Sequence, residues 1–466
     1  MLQSVGVSLL TRRLFLGPGP GVPVGGSAGG VLGGVNPPAF ALDSTRVSNE
    51  MPTNSMQDLV RPLGTSEYLT HQFSKSHSMN FTLGAEFPVV LTPEQLRVAL
   101  SAAQERHPLL SAHIDDCPGS GLGFYRSPTA IPIELTVLRQ TMNGWTQAAS
   151  AELSRPIETS SAPLMRAVLI QDTASSMVLL TFDHAIADGM GAVFLLKDLV
   201  AALNGRELAP LPVPEQQEKL IAGVSLPPAE DRLGEPSGGD PRMAAPGGKS
   251  RATRGIPLPP VQNLELDVER TGRIVERCRI EGTTVHSLLV AVASRVTGTL
   301  DGKDFVRVMS PVNHRRLTGA GEGVASYSCA GRTGSQPHDG TPLWEQARAV
   351  RAELSPLGSL AGIATAVAAI DEAFPGDVDP DTLAEMVTNG PGNELSITNL
   401  GVVDLGPAEQ IHPTRVVGPL IASHVEGQEI ISVATFAGRM QVCGVSHGIR
   451  EEFFTELRQG LVDAVS

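Results

Sequence analysis

One stretch constrains the fold of this chain more than any other. The apolar run Met177-Val178-Leu179-Leu180-Thr181-Phe182 leads directly into Asp183-His184-Ala185-Ile186-Ala187-Asp188-Gly189, and a helix-like pattern comes next over residues 191–203. A six-residue apolar run bounded by polar residues reads as a buried strand. The chain must therefore place a strand, a tight loop and a helix in immediate succession. A histidine where a strand gives way to a loop is positioned to take a proton in a cleft, and its ordinary pKa suits that work. Asp188, four residues on, can lock the turn. The same residues also fit a satisfied core histidine with Asp188 merely capping the helix. Metal binding would need His184 and Asp188 on one helical face. Gly189 and Gly191 argue against a helix there, and no third ligand stands nearby, so no metal site is expected.

Elsewhere the chain alternates helical and extended patterns. Thr92-Pro93-Glu94-Gln95 is a helix start, with Thr92 as cap, Pro93 in the first turn and Gln95 completing a capping box. Leu96, Ala99, Leu100 and Ala103 continue it at helical spacing up to Arg106-His107-Pro108. A second helical pattern covers 145–153, and strands are expected at 163–170 and 177–182. After the linker, helices are expected at 283–295, 343–354 and 451–464, and strands at 305–309, 394–399, 430–436 and 440–445. This composes a mixed α/β (α+β) chain in two comparable lobes.

Residues 205–260 are rich in Pro and Gly and read as a linker between lobes at 56–204 and 261–466. Gly247-Gly248-Lys249-Ser250 lacks the upstream glycine and the preceding strand of a phosphate loop and is rejected as one. The first 55 residues include an uncharged Gly/Pro/Val/Ala tract and read as a disordered leader or an upstream start. Met51 and Met56 are the alternative starts. Thr11-Arg12-Arg13-Leu14-Phe15-Leu16 resembles a twin-arginine export motif, but prolines at 18, 20 and 23 interrupt the segment after it. A cytoplasmic protein is expected, with export as the alternative.

At 466 residues, 41% hydrophobic and 18% charged, the chain can bury a large core. A net charge of −14 argues against a nucleic-acid partner, which would call for clustered Lys and Arg. It also disfavours docking to an acidic carrier protein unless a basic patch exists. Cys117, Cys278, Cys329 and Cys443 are far apart, with no zinc spacing, and read as free thiols. No run of 18 apolar residues exists, so no membrane-spanning helix is expected.

Four ordered elements carry a resemblance. Arg106-His107-Pro108-Leu109-Leu110 is similar to an RHPLLR element and His184 to Gly189 to an HxxxDG motif. Pro311-Val312-Asn313-His314-Arg315 is similar to a PVNLR element, and Ser396-Ile397-Thr398-Asn399-Leu400-Gly401 to an SNLG element. Together they resemble the superfamily of condensation domains and chloramphenicol-acetyltransferase-like acyltransferases. Within it, the chain is most similar to stand-alone polyketide-associated and alcohol acyltransferases.

The resemblance implies two acetyltransferase-like lobes with a tunnel between them, over residues 56 to 466. It implies acyl transfer from a thioester, on coenzyme A or a carrier protein as co-substrate, to a hydroxyl or amine acceptor. No bound cofactor and a monomer are expected. His184 matches the catalytic base, which activates the acceptor for direct attack on the thioester. Asp188 and Gly189 match the support of the catalytic loop, with Arg106 as salt-bridge partner of Asp188. Arg315, Thr398, Asn399 and Asp183 match positions along the tunnel, and Asn399 with Thr398 would offer donors to an oxyanion. Two departures stand out. Asp183 replaces the first histidine of HHxxxDG, and its carboxylate is expected to raise the His184 pKa. Ser111 replaces the final arginine of RHPLLR. A condensation-like fold that binds a carrier protein or natural product without turnover, or does other proton chemistry such as cyclisation, is the alternative.

Overall fold

A computed structural model describes residues 59–127, 131–226, 239–251, 253–374, 378–446, 448 and 450–466. The leader expected at 1–55, with its export-like motif and the alternative starts, lies outside the described residues. The chain opens with β1 (Leu59–Pro62), α1 (Thr65–Ser74), β2 (Asn80–Phe87) and α2 (Pro93–Arg106). β3 (Ala112–Cys117), β4 (Gly121–Arg126), β5 (Glu134–Arg139), α3 (Trp145–Ser154), β6 (Met165–Gln171), β7 (Ser176–Asp183) and α4 (Gly189–Leu203) come next. A short α5 (Gln217–Ile221) lies in the connecting segment. The second half runs β8 (Gln262–Leu266), α6 (Val268–Ile280), α7 (Val285–Asp301), β9 (Val306–Asn313), α8 (Arg315–Thr318), β10 (Ser328–Ser335), α9 (Leu343–Leu354), α10 (Leu360–Ala373) and α11 (Pro380–Asn389). It ends with β11 (Leu395–Val402), β12 (Arg415–Ile421), β13 (Glu429–Phe436), β14 (Arg439–Gly444) and α12 (Glu451–Asp463).

The fold is α+β in two lobes, as the sequence leads one to expect. One large sheet has the order β12-β2-β7-β6-β5 and the other β10-β9-β11-β13-β14-β8; a small sheet β1-β4-β3 flanks the first. The capping box at Thr92 forms as the residues dictate: its hydroxyl accepts from the Gln95 N–H, and the Gln95 side chain accepts from the Thr92 N–H. The apolar run at 177–182 is β7, with all eight residues buried. It pairs antiparallel with β2 on one side and β6 on the other. Its side chains alternate faces. Val178, Leu180 and Phe182 join the core that packs α2 and α4, while Met177 and Leu179 join the core facing the second lobe.

Two features bind the lobes to each other. β12 comes from the second half of the sequence yet forms the edge of the first lobe's sheet, where Val416 lies opposite Ala85 and Ile421 opposite Phe81. Gly418 sits at the irregularity of that pairing with φ +101, where a Cβ would come 2.7 Å from the Thr82 carbonyl oxygen. The connecting segment is the second feature. The Leu211 N–H donates to the Arg106 carbonyl, Gln217 meets the buried His314, and Ser250 forms a β-bridge with Val425. The glycines of the rejected phosphate loop have a packing reason: a Cβ on Gly248 would overlap the Glu426 carbonyl. The four cysteines are free. Among the described residues, no single helix is long and apolar enough to cross a membrane.

Candidate active site

β7 delivers His184 to the end of the first lobe's sheet. The His184 N–H donates to the Met79 carbonyl at 3.0 Å, which extends the β2–β7 ladder one residue past Asp183. By strand alternation the imidazole falls on the face of Phe182 and Phe81, and its ring centroid lies 5.0 Å from that of Phe81. It is half-buried and stands on the wall of a cavity of about 460 Å³. That cavity is walled from both halves of the chain: Phe81, His184 and Phe194 from the first, Ser328, Thr398 and Asn399 from the second. Burial pushes the His184 pKa down, and the carbonyls of His184 and Ala187 and the Asp188 carboxylate oppose that without reversing it. The ring is therefore neutral at neutral pH.

Asp188 holds the loop rather than the ring. It caps α4 through a 2.7 Å bond from the Gly191 N–H, and it accepts from the Tyr327 N–H at 2.8 Å. Arg315 Nη1 donates to both carboxylate oxygens at 2.8 Å, and Arg315 Nη2 donates to the Ala325 carbonyl at 2.6 Å. Asn313 adds a longer bond to Asp188, and its own side-chain oxygen accepts from the Arg315 N–H. Burial alone would raise the Asp188 pKa, but Arg315 and the two backbone donors hold it below the ordinary aspartate range. The pair is buried on both sides, at 5% and 6% side-chain exposure, and it crosses from one lobe to the other.

Two expectations are corrected here. Arg106 does not pair with Asp188. It ends α2 beside the middle of α4, where its Nε donates to Asp198 at 2.7 Å. Asp198 lies ten residues along the helix from Asp188, about 15 Å at the helical rise. His107 shares that carboxylate through Nε2 at 2.8 Å and accepts from the Val324 N–H with Nδ1, so the RHPLL element also spans the lobes. Asp183 is not on the cavity wall. Alternation along β7 turns it to the opposite face from His184, where it accepts from the Ala185 N–H at 2.9 Å. Burial pushes its own pKa up to about 7. It therefore does not raise the His184 pKa; the shift at His184 is downward.

The remaining site residues converge. Gly189, Arg315, Thr398 and Asn399 all line the cavity. Gly189 has no room for a side chain, since a Cβ would come 2.9 Å from Leu400 and Pro419. The Asn399 side-chain oxygen accepts from the Gly401 N–H at 2.8 Å, so the donor its side chain can offer a ligand is the amide nitrogen. Sequence inspection missed Phe81, Ser326, Ser328 and His424 on this wall. For Phe81 the one available signal was the short alternation Phe81-Thr82-Leu83, broken at Gly84; nothing local signalled the others. It also missed the spacing Gly444-x-Ser446-x-Gly448 after β14. Ser446 donates to Glu429 at 2.8 Å and faces a different cavity.

Fold and site together define a two-lobed protein built around an HxxxDG loop, and comparison with known proteins shows what this is similar to. Residues 50–218 match the family model of the Condensation domain. It is similar to a subunit of plipastatin synthase from Bacillus subtilis (strain 168), at 25% identity over 286 residues, 59% of this chain but 7% of that protein. Its fold is similar to that of polyketide synthase associated protein 5 from Mycobacterium tuberculosis, with TM-score 0.60 and 17% identity, covering 88% of this chain and 99% of that one. The first condensation domain of the CDA synthetase matches with TM-score 0.59 and 14% identity, covering 88% and 96%. The matched part of this chain thus spans a small fraction of the plipastatin synthase protein and nearly the whole of each solved structure.

Proposed function

We propose that the protein is an acyltransferase that moves an acyl group from a thioester, on coenzyme A or a carrier protein, to a hydroxyl or amine. The observation that carries this reading is a neutral imidazole, His184, on the wall of a cavity shared by both halves of the chain. Among the described residues its ring bonds no other side chain, while the neighbouring Asp188 is fully committed to Arg315 and backbone donors.

A neutral His184 takes the proton of the acceptor as its oxygen or nitrogen attacks the thioester carbonyl. The carbonyl oxygen becomes an oxyanion, for which Asn399 and the Thr398 hydroxyl are the donors on the wall. Collapse re-forms the carbonyl and expels the thiolate, which recovers the proton from the imidazolium. No covalent acyl-enzyme intervenes. The alternative of a binding protein without turnover would be favoured by a His184 packed into core, and this histidine lines open space instead.

His184→Ala is expected to lower acyl transfer by about 10²–10⁴ while thermal unfolding stays close to that of the parent. Near-parental turnover in that variant would sink the reading. Because burial lowers the His184 pKa, the base stays free well into mild acid. The acid limb of the kcat profile is expected below 6.5, the ordinary histidine value.

A further inference from the structure

The residues that hold Asp188 also hold the connecting segment. Arg315 Nη1 and the Tyr327 N–H both donate to the Asp188 carboxylate. His314 precedes Arg315, and its N–H donates to the Tyr327 carbonyl at 3.1 Å. The His314 and Tyr327 rings lie edge to face with centroids 6.1 Å apart. Both reach the segment: the Tyr327 hydroxyl donates to the Glu215 carbonyl at 2.6 Å, and His314 Nε2 meets the Gln217 side-chain oxygen at 3.2 Å.

The same stretch is fastened to the first lobe. Arg61 Nε donates to the Pro214 carbonyl at 2.7 Å, and Arg61 is itself fixed by its pair with Glu67 of α1. The Gln216 side-chain amide donates to the Pro62 and Leu63 carbonyls at 2.9 and 3.0 Å. Residues 214–217 thus close a circuit. It runs from β1 of the first lobe through the segment to His314 and Tyr327 of the second, then back to the first at Asp188. A closed circuit limits how far the lobes can part beside the loop of His184.

The link between Gln217 and His314 is polar where burial favours an apolar contact. Gln217 is 4% exposed and His314 0%. His314 stands at the leucine position of the PVNLR element. Burial pushes its pKa down to about 4, with Asp188 opposing the fall and Arg315 adding to it, so the ring is neutral. The pair is therefore held by a hydrogen bond and not by charge. Two leucines would fill this place at little cost in stability, whereas removing one polar partner strands the other. An apolar contact is non-directional, and it leaves the segment free to slide. A hydrogen bond works only in one alignment.

We propose that Gln217 and His314 are positioning residues for His184: through them the connecting segment sets where Arg315 meets Asp188, and so where the histidine loop stands. This rests on the acyl-transfer reading for its effect on turnover, but one arm of its test needs no turnover.

That arm is the titration of His184, followed by NMR on the full chain labelled at histidine Cε1, with His184→Ala assigning the signal. In Gln217→Leu, Arg315 draws back from Asp188, and the less neutralised carboxylate is expected to raise the His184 pKa by about 0.5. kcat is expected to fall about tenfold with KM within twofold, as for a misplaced catalytic group. Gln217→Leu with His314→Leu is expected to recover the thermal midpoint lost by Gln217→Leu, and to recover neither kcat nor the His184 titration. A parental titration and kcat in Gln217→Leu, or their return in the double variant together with its stability, would overturn the proposal. If the parent transfers no acyl group yet the His184 titration moves as expected, the acyl-transfer reading fails and the positioning role stands.

Discussion

Asp183 and His184 are adjacent in sequence and opposite in environment. Both were legible as residues of interest, but the spacing could not say that one faces a cavity and the other the packed face of the sheet. The consequence for Asp183 is measurable. Its carboxyl titrates near 7 in the folded protein against 3.8 ordinarily, because burial disfavours its charge. Below about pH 4 both folded and unfolded chains carry the proton and the difference vanishes. As pH rises through 4 to 7 the unfolded chain ionises first, and the folded state loses stability, by up to about 4 kcal/mol. Asp183→Asn keeps the acceptor for the Ala185 N–H and removes the charge. Urea unfolding is expected to show the variant gaining on the parent as pH rises from 4 to 8; a gap independent of pH would contradict this. The two arginines separate in the same way. Arg315→Ala strands a buried Asp188 and is expected to cost about 3–5 kcal/mol, with loss of activity. Arg106→Ala leaves Asp198 with His107 and is expected to cost about 1–2 kcal/mol with kcat unchanged within twofold. If Arg106→Ala proved the more damaging to kcat, the assignment of the Asp188 partner would be wrong.

Among the elements, those with strong local signals were found where expected: α2 with its capping box, the β6–β7 pair, and α4 after the HxxxDG loop. β2, β10 and β12 were not, because their apolar residues are interrupted by glycine, serine or proline, and their partners are distant in sequence. The start of α4 shows how an element can obey a local rule and a tertiary one at odds with it. In an isolated helix alanine is favoured over glycine by about 1 kcal/mol. At Gly191, however, a Cβ would come 2.9 Å from the Ala325 carbonyl oxygen and 3.3 Å from Arg315 Nη2 across the lobe boundary. Gly191→Ala is therefore expected to destabilise by about 1–3 kcal/mol and to slow turnover by displacing the loop that holds His184. A rise in the thermal midpoint of this variant would show that the boundary yields.

At the scale of the whole molecule, the lobes are not independent. β12 completes the first lobe's sheet from the far half of the chain, and Val417 and Leu420 pack with Leu179 and with Cys443 and Val445 of the second lobe. Without β12, β2 is an open edge carrying Phe81, Leu83 and Ala85, a template for pairing with another chain. Residues 59–226 produced alone are expected to elute from size exclusion as aggregate; a folded monomer would mean that β12 is dispensable to the first lobe. The connecting segment, read from its composition as a spacer, in fact supplies Gln217, Ser250 and Thr253 to contacts at both lobes.

What the sequence determined by itself is local. A strand, a loop and a helix in succession present a histidine and an aspartate four apart, and ordered motifs mark the fold and the candidate base. Periodicity and capping depend on near neighbours, so they can be read along the chain. Only the tertiary structure decided that Asp188 answers to Arg315 and not Arg106, and that Asp183 turns from the site. Each depends on which strand lies beside which and which face a side chain takes, and those are set by packing between residues a hundred or more positions apart.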